Sequence, residues 1–217
     1  MRIVVVSKKS KRTQDLLDYL SEYNVEWVSH RGVLESSLDR IQPDWVFVYH
    51  WSYIIPESIY SKYRCVAFHT GNLPDDRGGS PIQNQIMKGK TFSKVNAIVV
   101  QDPVDSGAVY GSKSISLQGS LYDIWNAITE AAKKLIDDIL NYDIEPVPQS
   151  GPSSTFKRKK DNTLQPTSIE SIYDQIRMLD GEDYPSTHLI VGDYKFDFSR
   201  AKMQEGVILA DVKIYKV

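Results

Sequence analysis

Two short runs, Arg2–Val6 (RIVVV) and Trp45–Tyr49 (WVFVY), are apolar almost throughout and show no alternation. Successive side chains of a strand point to opposite faces. A strand without a polar face must therefore be buried on both sides, as in the middle of a parallel sheet covered by helices. The intervening segments fit that arrangement. Lys11 to Tyr23 places Leu16, Leu17 and Leu20 at helical spacing, Val25–Val28 reads as a second strand, and Val33–Ile41 reads as a helix ended by Pro43. Pro56 marks a further helix start, Cys65–Phe68 a fourth strand and Val95–Val100 a fifth. Strands alternating with helices predict right-handed crossovers and an α/β fold: a Rossmann-like, doubly wound, mostly parallel sheet.

Further along, Ser120 with Asp123 three residues on signals a capping box for a helix over Leu121–Leu140, whose apolar stripe would lie on the sheet. The stretch Pro146 to Ser154 (PVPQSGPSS) then turns to Pro, Ser and Gly. A basic cluster, Phe156 to Asp161, follows it. After it come a helix over Ser168–Leu179 and three strand-like pieces, His188–Val191, Tyr194–Phe198 and Val207–Tyr215, with Gly192-Asp193 as a tight hairpin turn. The organisation expected is a catalytic domain over 1–148, a linker over 149–164, and a small C-terminal α+β appendage, a helix plus β-hairpin, over 165–217.

The chain has 217 residues and a net charge of −2, with 26 basic against 28 acidic side chains. Phosphate-binding proteins rely on clustered positive charge, so this balance points away from a nucleic-acid partner. The single cysteine, Cys65, permits no intrachain disulfide, and the apolar run at the start, Ile3–Val6, is too short for a signal peptide or a membrane span. A cytoplasmic protein without a membrane partner is expected. GxSxG, HExxH, P-loop, GxGxxG and paired-cysteine motifs are all absent, so serine-hydrolase, zinc, nucleotide-hydrolysis and dinucleotide readings lack support, and no metal is expected.

The chemistry lies between Cys65 and Gly111. His69 leaves one strand, Arg77-Gly78-Gly79-Ser80 forms a turn-rich loop in which Ser80 is placed to cap a helix starting at Pro81, and Asp105 sits in the turn Asp102 to Gly107 after the next strand. Such residues meet at the carboxyl edge of an open α/β sheet, where a carboxylate can orient an imidazole for proton transfer. Three segments in this order, His69-Thr70-Gly71-Asn72-Leu73-Pro74, Arg77-Gly78-Gly79-Ser80-Pro81 and Asp105-Ser106-Gly107-Ala108-Val109, resemble the core of the 10-formyltetrahydrofolate-dependent formyltransferases. That family includes methionyl-tRNA formyltransferase, glycinamide ribonucleotide formyltransferase and N-formyltransferases of nucleotide-linked amino sugars.

The resemblance implies an acyl transfer from 10-formyltetrahydrofolate, with His69 as general base and Asp105 orienting it. The folate would be held by His50, Trp51, Ser52, Tyr53 and Ile54, by Arg77, Gly78 and Gly79, and by Gln101 and Asp102. The acceptor would be held by Lys8, Lys9, Lys11 and Arg12 and by Phe156, Lys157 and Arg158. The family has asparagine two residues before the histidine; Ala67 stands there in this chain. Asn72, Asn84 and the backbone N–H groups of Gly78 and Gly79 are the candidate substitutes for its oxyanion donor. The small appendage, the mildly acidic charge and the segment Arg177 to Pro185, similar to the tail of many sugar formyltransferases, point to a nucleotide-linked amino sugar as acceptor, a precursor of surface polysaccharide such as lipopolysaccharide O-antigen. A methionyl-tRNA formyltransferase-like enzyme and a catalytically inactive module binding folate or a sugar nucleotide are the alternatives. The apolar residues of the terminal hairpin suggest a homodimer.

Overall fold

The computed structural model describes residues 1–182 and 184–217. A six-stranded sheet forms its centre. Four parallel strands come first: β1 (Arg2–Val6), β2 (Asn24–Val28), β3 (Trp45–Val48) and β4 (Cys65–Thr70). Between them run α1 (Lys11–Tyr19), α2 (Leu34–Ile41) and α3 (Glu57–Tyr60). The sheet then changes direction. After β5 (Arg77–Gly78) and α4 (Pro81–Met87), β6 (Phe92–Val99) pairs antiparallel with β4, and β7 (Val109–Ser116) antiparallel with β6. The strand order is β2-β1-β3-β4-β6-β7.

The unbroken apolar character of β1 and β3 follows from this position. Ile3, Val5 and Phe47 enter one core with Leu16, Leu20, Leu121, Ile124 and Leu135. Val4, Val6, Val46 and Val48 enter a second core, on the other face, with Leu34, Leu38, Ile41 and Ile59. Burying one such side chain contributes about 1.5–3 kcal/mol, so both faces of these strands specify the register. The main cover of the first face is α5 (Leu121–Asn141), begun by the reciprocal capping box of Ser120 and Asp123.

The chain then returns. A two-residue strand, β8 (Thr155–Phe156), pairs in parallel with β5, so the middle of the segment expected as a linker lies against the glycine loop. The remainder is α6 (Ile169–Arg177) and a separate antiparallel sheet of β9 (Thr187–Val191), β10 (Tyr194–Gln204) and β11 (Val207–Lys216), in the order β11-β10-β9. Arg177 ties α6 to the main sheet by donating to the carbonyls of Leu117 and Gly119. Asp183, in the Arg177 to Pro185 segment singled out in the sequence, lies outside the described residues.

The mostly parallel sheet and the small C-terminal sheet agree with the sequence reading; the β5–β8 pairing, strand β7 and the start of α4 do not. Strand β7 was not anticipated, because its sequence VYGSKSIS is rich in Ser and offers one fully buried side chain, Ile115. Ser80 does not cap α4 with its side chain: its φ is 51°, and its hydroxyl instead accepts the Lys159 N–H at 3.2 Å. Among the described residues no helix is long and apolar enough to cross a membrane.

A Cβ at Gly107 would overlap the Val99 carbonyl, so Gly107→Ala should lower unfolding free energy by about 3 kcal/mol or more, read from urea denaturation. Burial pushes the Cys65 thiol up to about 12, so it stays protonated near neutral pH. It should resist a disulfide reagent at pH 8 in the folded protein and react once denaturant is added.

Candidate active site

The carboxyl ends of β3 and β4 and the loop after β6 open into a cleft of about 700 Å³. His69, the fifth residue of β4, is 7% exposed on its wall. Asp105, from the loop between β6 and β7, approaches from the opposite side: its Oδ2 lies 3.3 Å from His69 Nδ1 and accepts the Gly78 N–H at 2.9 Å. The other ring nitrogen is engaged too. His69 Nε2 lies 2.7 Å from the backbone carbonyl of Asp76. Both neighbours only accept, so geometry decides: the Nε2 contact is the short hydrogen bond and the carboxylate stands farther off at 3.3 Å, which puts the neutral ring's proton on Nε2 and turns Nδ1 toward Asp105.

The strand behind the histidine fixes its backbone. Asn96 on β6 sits opposite His69 and donates through Nδ2 to the carbonyls of His69 (3.2 Å) and Gly71 (2.7 Å). Ser112 on β7 completes Asn96 by donating to its Oδ1 at 2.7 Å. Around the cleft, His50, Asp76, Ser80 and Asp105 all have left-handed backbones, with φ between 47° and 63°. Non-glycine residues seldom adopt that conformation, and such residues cluster where a loop must aim a side chain.

The returning segment joins the loops. Gln149 accepts from Arg77 through Oε1 (2.7 and 3.1 Å) and donates through Nε2 to the Asp105 and Gly107 carbonyls (2.9 and 2.8 Å). Gly78 lies at φ 91°, and a Cβ there would strike the Phe156 carbonyl, so only glycine lets β8 approach.

The structure brings together most of the site residues proposed from sequence. His50, Trp51, Ser52, Tyr53 and Ile54 form one wall of the cleft; Gly78, Gly79 and Gln101 lie on it too. Trp51 and Tyr53 meet edge to face at 5.2 Å, and the Trp51 indole N–H is buried without a hydrogen-bond partner among the described residues. Lys8, Arg12 and Arg158 also line the cleft. Arg12 lies 3.6 Å over the Trp125 ring and donates to His50 Nε2 at 2.7 Å.

Others lie elsewhere. Arg77 turns to Gln149, and Asp102, Lys9, Lys11 and Lys157 are off the cleft wall. Phe156 is buried beneath the Lys88 ammonium, 4.4 Å from its ring centroid. Neither Asn72 nor Asn84 lines the cleft, and the Asn84 amide donates to the carbonyls of Gly79, Ser80 and Lys157. The Gly78 and Gly79 N–H groups are engaged by Asp105 and the Phe156 carbonyl. None of the four candidates therefore offers a free donor beside Ala67. Among the described residues the Arg158 guanidinium on the cleft wall makes no hydrogen bond or ion pair, which leaves it as an available donor. Asp76, Asn96 and Gln149 were missed, because each acts largely on backbone groups, which leave no motif. Among the described residues no group of three or more His, Cys, Asp or Glu side chains is placed to hold a metal ion.

Comparison with known proteins gives the family. A structure described as methionyl-tRNA formyltransferase from Clostridium thermocellum is 34% identical over 100% of both chains, with a TM-score of 0.96. A family model described as methionyl-tRNA formyltransferase, C-terminal domain, matches residues 159–215. The curated methionyl-tRNA formyltransferase of Nitratiruptor sp. is 26% identical over 147 residues, 64% of this chain and 49% of that protein. The chain belongs to the formyltransferase family. It spans about half the length of such curated relatives.

These findings correct two expectations. The C-terminal segment matches the methionyl-tRNA formyltransferase model, not a sugar-enzyme tail, and a 4-N formyltransferase from Francisella tularensis, at 14% identity and a TM-score of 0.65, shares the fold alone. The amino-sugar acceptor therefore does not stand. Nor does the exclusion of nucleic acid, since the relatives' names specify tRNA. Net charge misled because it averages the surface. On the cleft wall the cations are Lys8, Arg12, Arg158 and Lys159, against Asp105 as the acid.

Removing the Gln149 side chain leaves two carbonyls and Arg77 to seek water. Gln149→Ala should cost about 1 kcal/mol and speed hydrogen exchange in the Asp105 loop, measured by mass spectrometry.

Proposed function

We propose that this chain transfers a formyl group from 10-formyltetrahydrofolate to the free amine of methionyl-tRNA. The observation that carries the reading is the His69–Asp105 pair on the wall of a cleft that has room for a flat heterocycle and a cationic rim. The end-to-end likeness to the Clostridium thermocellum protein supports the choice of acceptor.

The cleft suits a pterin on its own chemistry. The Trp51–Tyr53 pair and Ile55 give an apolar, aromatic wall. The bound donor supplies one activated formyl carbon. The protein's task is to remove a proton from the attacking amine and to steady the oxygen that gains charge. Asp105 is the more accessible member of the pair, at 15% against 7% for His69. A proton leaving the amine reaches its carboxylate first and comes to rest between Oδ2 and Nδ1, with the imidazolium held by Asp105 on one side and the Asp76 carbonyl on the other. As the bond between the formyl carbon and the folate nitrogen breaks, the pair returns that proton to the leaving nitrogen, which restores neutral His69. This order differs from the sequence expectation of histidine as the first acceptor. Arg158 is the side chain to which we assign stabilisation of the oxyanion in place of the amide missing at Ala67.

Formation of formylmethionyl-tRNA, followed by mass spectrometry of the released aminoacyl group, tests the reaction. His69→Ala and Asp105→Asn should each lower turnover by roughly 10²–10⁴-fold while circular dichroism stays unchanged. No product from the wild type with methionyl-tRNA would end the proposal. Filter binding across a salt series tests the rim: the double variant Lys8→Ala/Lys159→Ala should flatten the slope of log K against log salt by about 1 for each phosphate that the variant leaves unneutralised.

A further inference from the structure

Asp76 has no role in the proton transfer just described except through its carbonyl, yet its carboxylate is built in with unusual care. It is 2% exposed and left-handed, at φ 63°. Its Oδ2 accepts the Asn72 N–H at 3.1 Å and the Lys90 ammonium at 2.7 Å. Lys90 follows α4 and is 32% exposed, so one end of the ion pair is buried and the other reaches water. The same residue turns its backbone oxygen onto His69 Nε2 at 2.7 Å. Its side chain and its carbonyl thus belong to one rigid turn, with the side chain anchored and the carbonyl aimed.

We infer that the Lys90–Asp76 ion pair is a positioning brace that sets the tautomer of His69. With the carbonyl in place, the ring holds its proton on Nε2 and keeps Nδ1 as its basic atom toward Asp105. Without the ion pair, the Asp76 carboxylate is buried with the Asn72 N–H as its remaining partner, and a charge so placed drives the turn to open toward water. The carbonyl then leaves Nε2, and the acceptor remaining at the ring is the Asp105 carboxylate, which draws the proton to Nδ1. Gly71 closes the same space: a Cβ there would come within 3.0 Å of the Asp76 oxygen and 3.2 Å of Nε2. The consequence for turnover rests on the formyl-transfer reading; the tautomer does not.

The test is long-range proton–nitrogen NMR of the imidazoles in the full chain, labelled with nitrogen-15, at a pH where the rings are neutral. There are four histidines, and His69→Gln identifies the signal of His69. The wild type should show His69 protonated on Nε2. Lys90→Met should show a mixed or Nδ1-protonated ring, and Lys90→Arg should restore the Nε2 form. Formyl transfer should fall roughly 10- to 100-fold in kcat for Lys90→Met with KM unchanged, the range usual when a group orienting a functional imidazole is removed. Should Lys90→Met not fold, Gly71→Ala displaces the carbonyl by crowding and should give the same altered signal. An Nδ1-protonated ring in the wild type, or an unaltered Nε2 signal in folded Lys90→Met, would overturn the brace. A wild type with the Nε2 signal and no turnover would refute the formyl-transfer reading and leave the brace standing.

Discussion

The buried amide of Asn96 is the contact on which the rest of the cleft depends. It grips the carbonyls of His69 and Gly71 just where β4 stops being a strand and becomes a loop. A buried carbonyl without a donor costs about 1–3 kcal/mol, so this amide holds the turn shut. The antiparallel β7 brings Ser112 behind Asn96 and fixes which way that amide faces. Direction matters for the acid as well. Because β6 runs antiparallel to β4, it ends beside Cys65, at the start of β4, where the Val100 N–H meets the Cys65 carbonyl. The loop that bears Asp105 must then fold back toward the other end of β4 to reach His69. The imidazole and its acid are therefore held by backbone geometry set several residues away from either.

The cleft is also completed from a distance along the chain. Ser154, Phe156 and Lys159 bond to the segment from Asp76 to Ser80, and Gln149 spans Arg77 and the Asp105 loop. Each bond is of ordinary strength. Together they leave the glycine loop little freedom, which matters because Gly78 donates the N–H that holds Asp105 in line.

What the sequence disclosed follows from how each residue acts. Ile3 to Val6 and Val46 to Val48 had to be apolar on both faces, so the parallel strands were legible, and α5 declared itself through its stripe and its capping box. His69 and Asp105 could be paired because their side chains carry the chemistry. Asp76, Asn96 and Gln149 could not, since they speak to carbonyls and amides that every residue possesses. Strand β7 was hidden for a related reason: most of its side chains reach solvent at least in part, and its pairing is carried by main chain. The acceptor was misjudged because overall charge and tail length stood in for the charge on one wall.

The parallel pairing of β5 with β8 bears on how the protein comes into being. On a ribosome, the histidine, the glycine loop and the aspartate all emerge well before Gln149 and Phe156. The sheet around β1 and β3 has everything it needs to collapse by then, but the loop at Gly78 is still waiting for its neighbour. The glycine loop can therefore be closed only once residues 149–156 have left the ribosome, after the strands that carry the histidine and the aspartate.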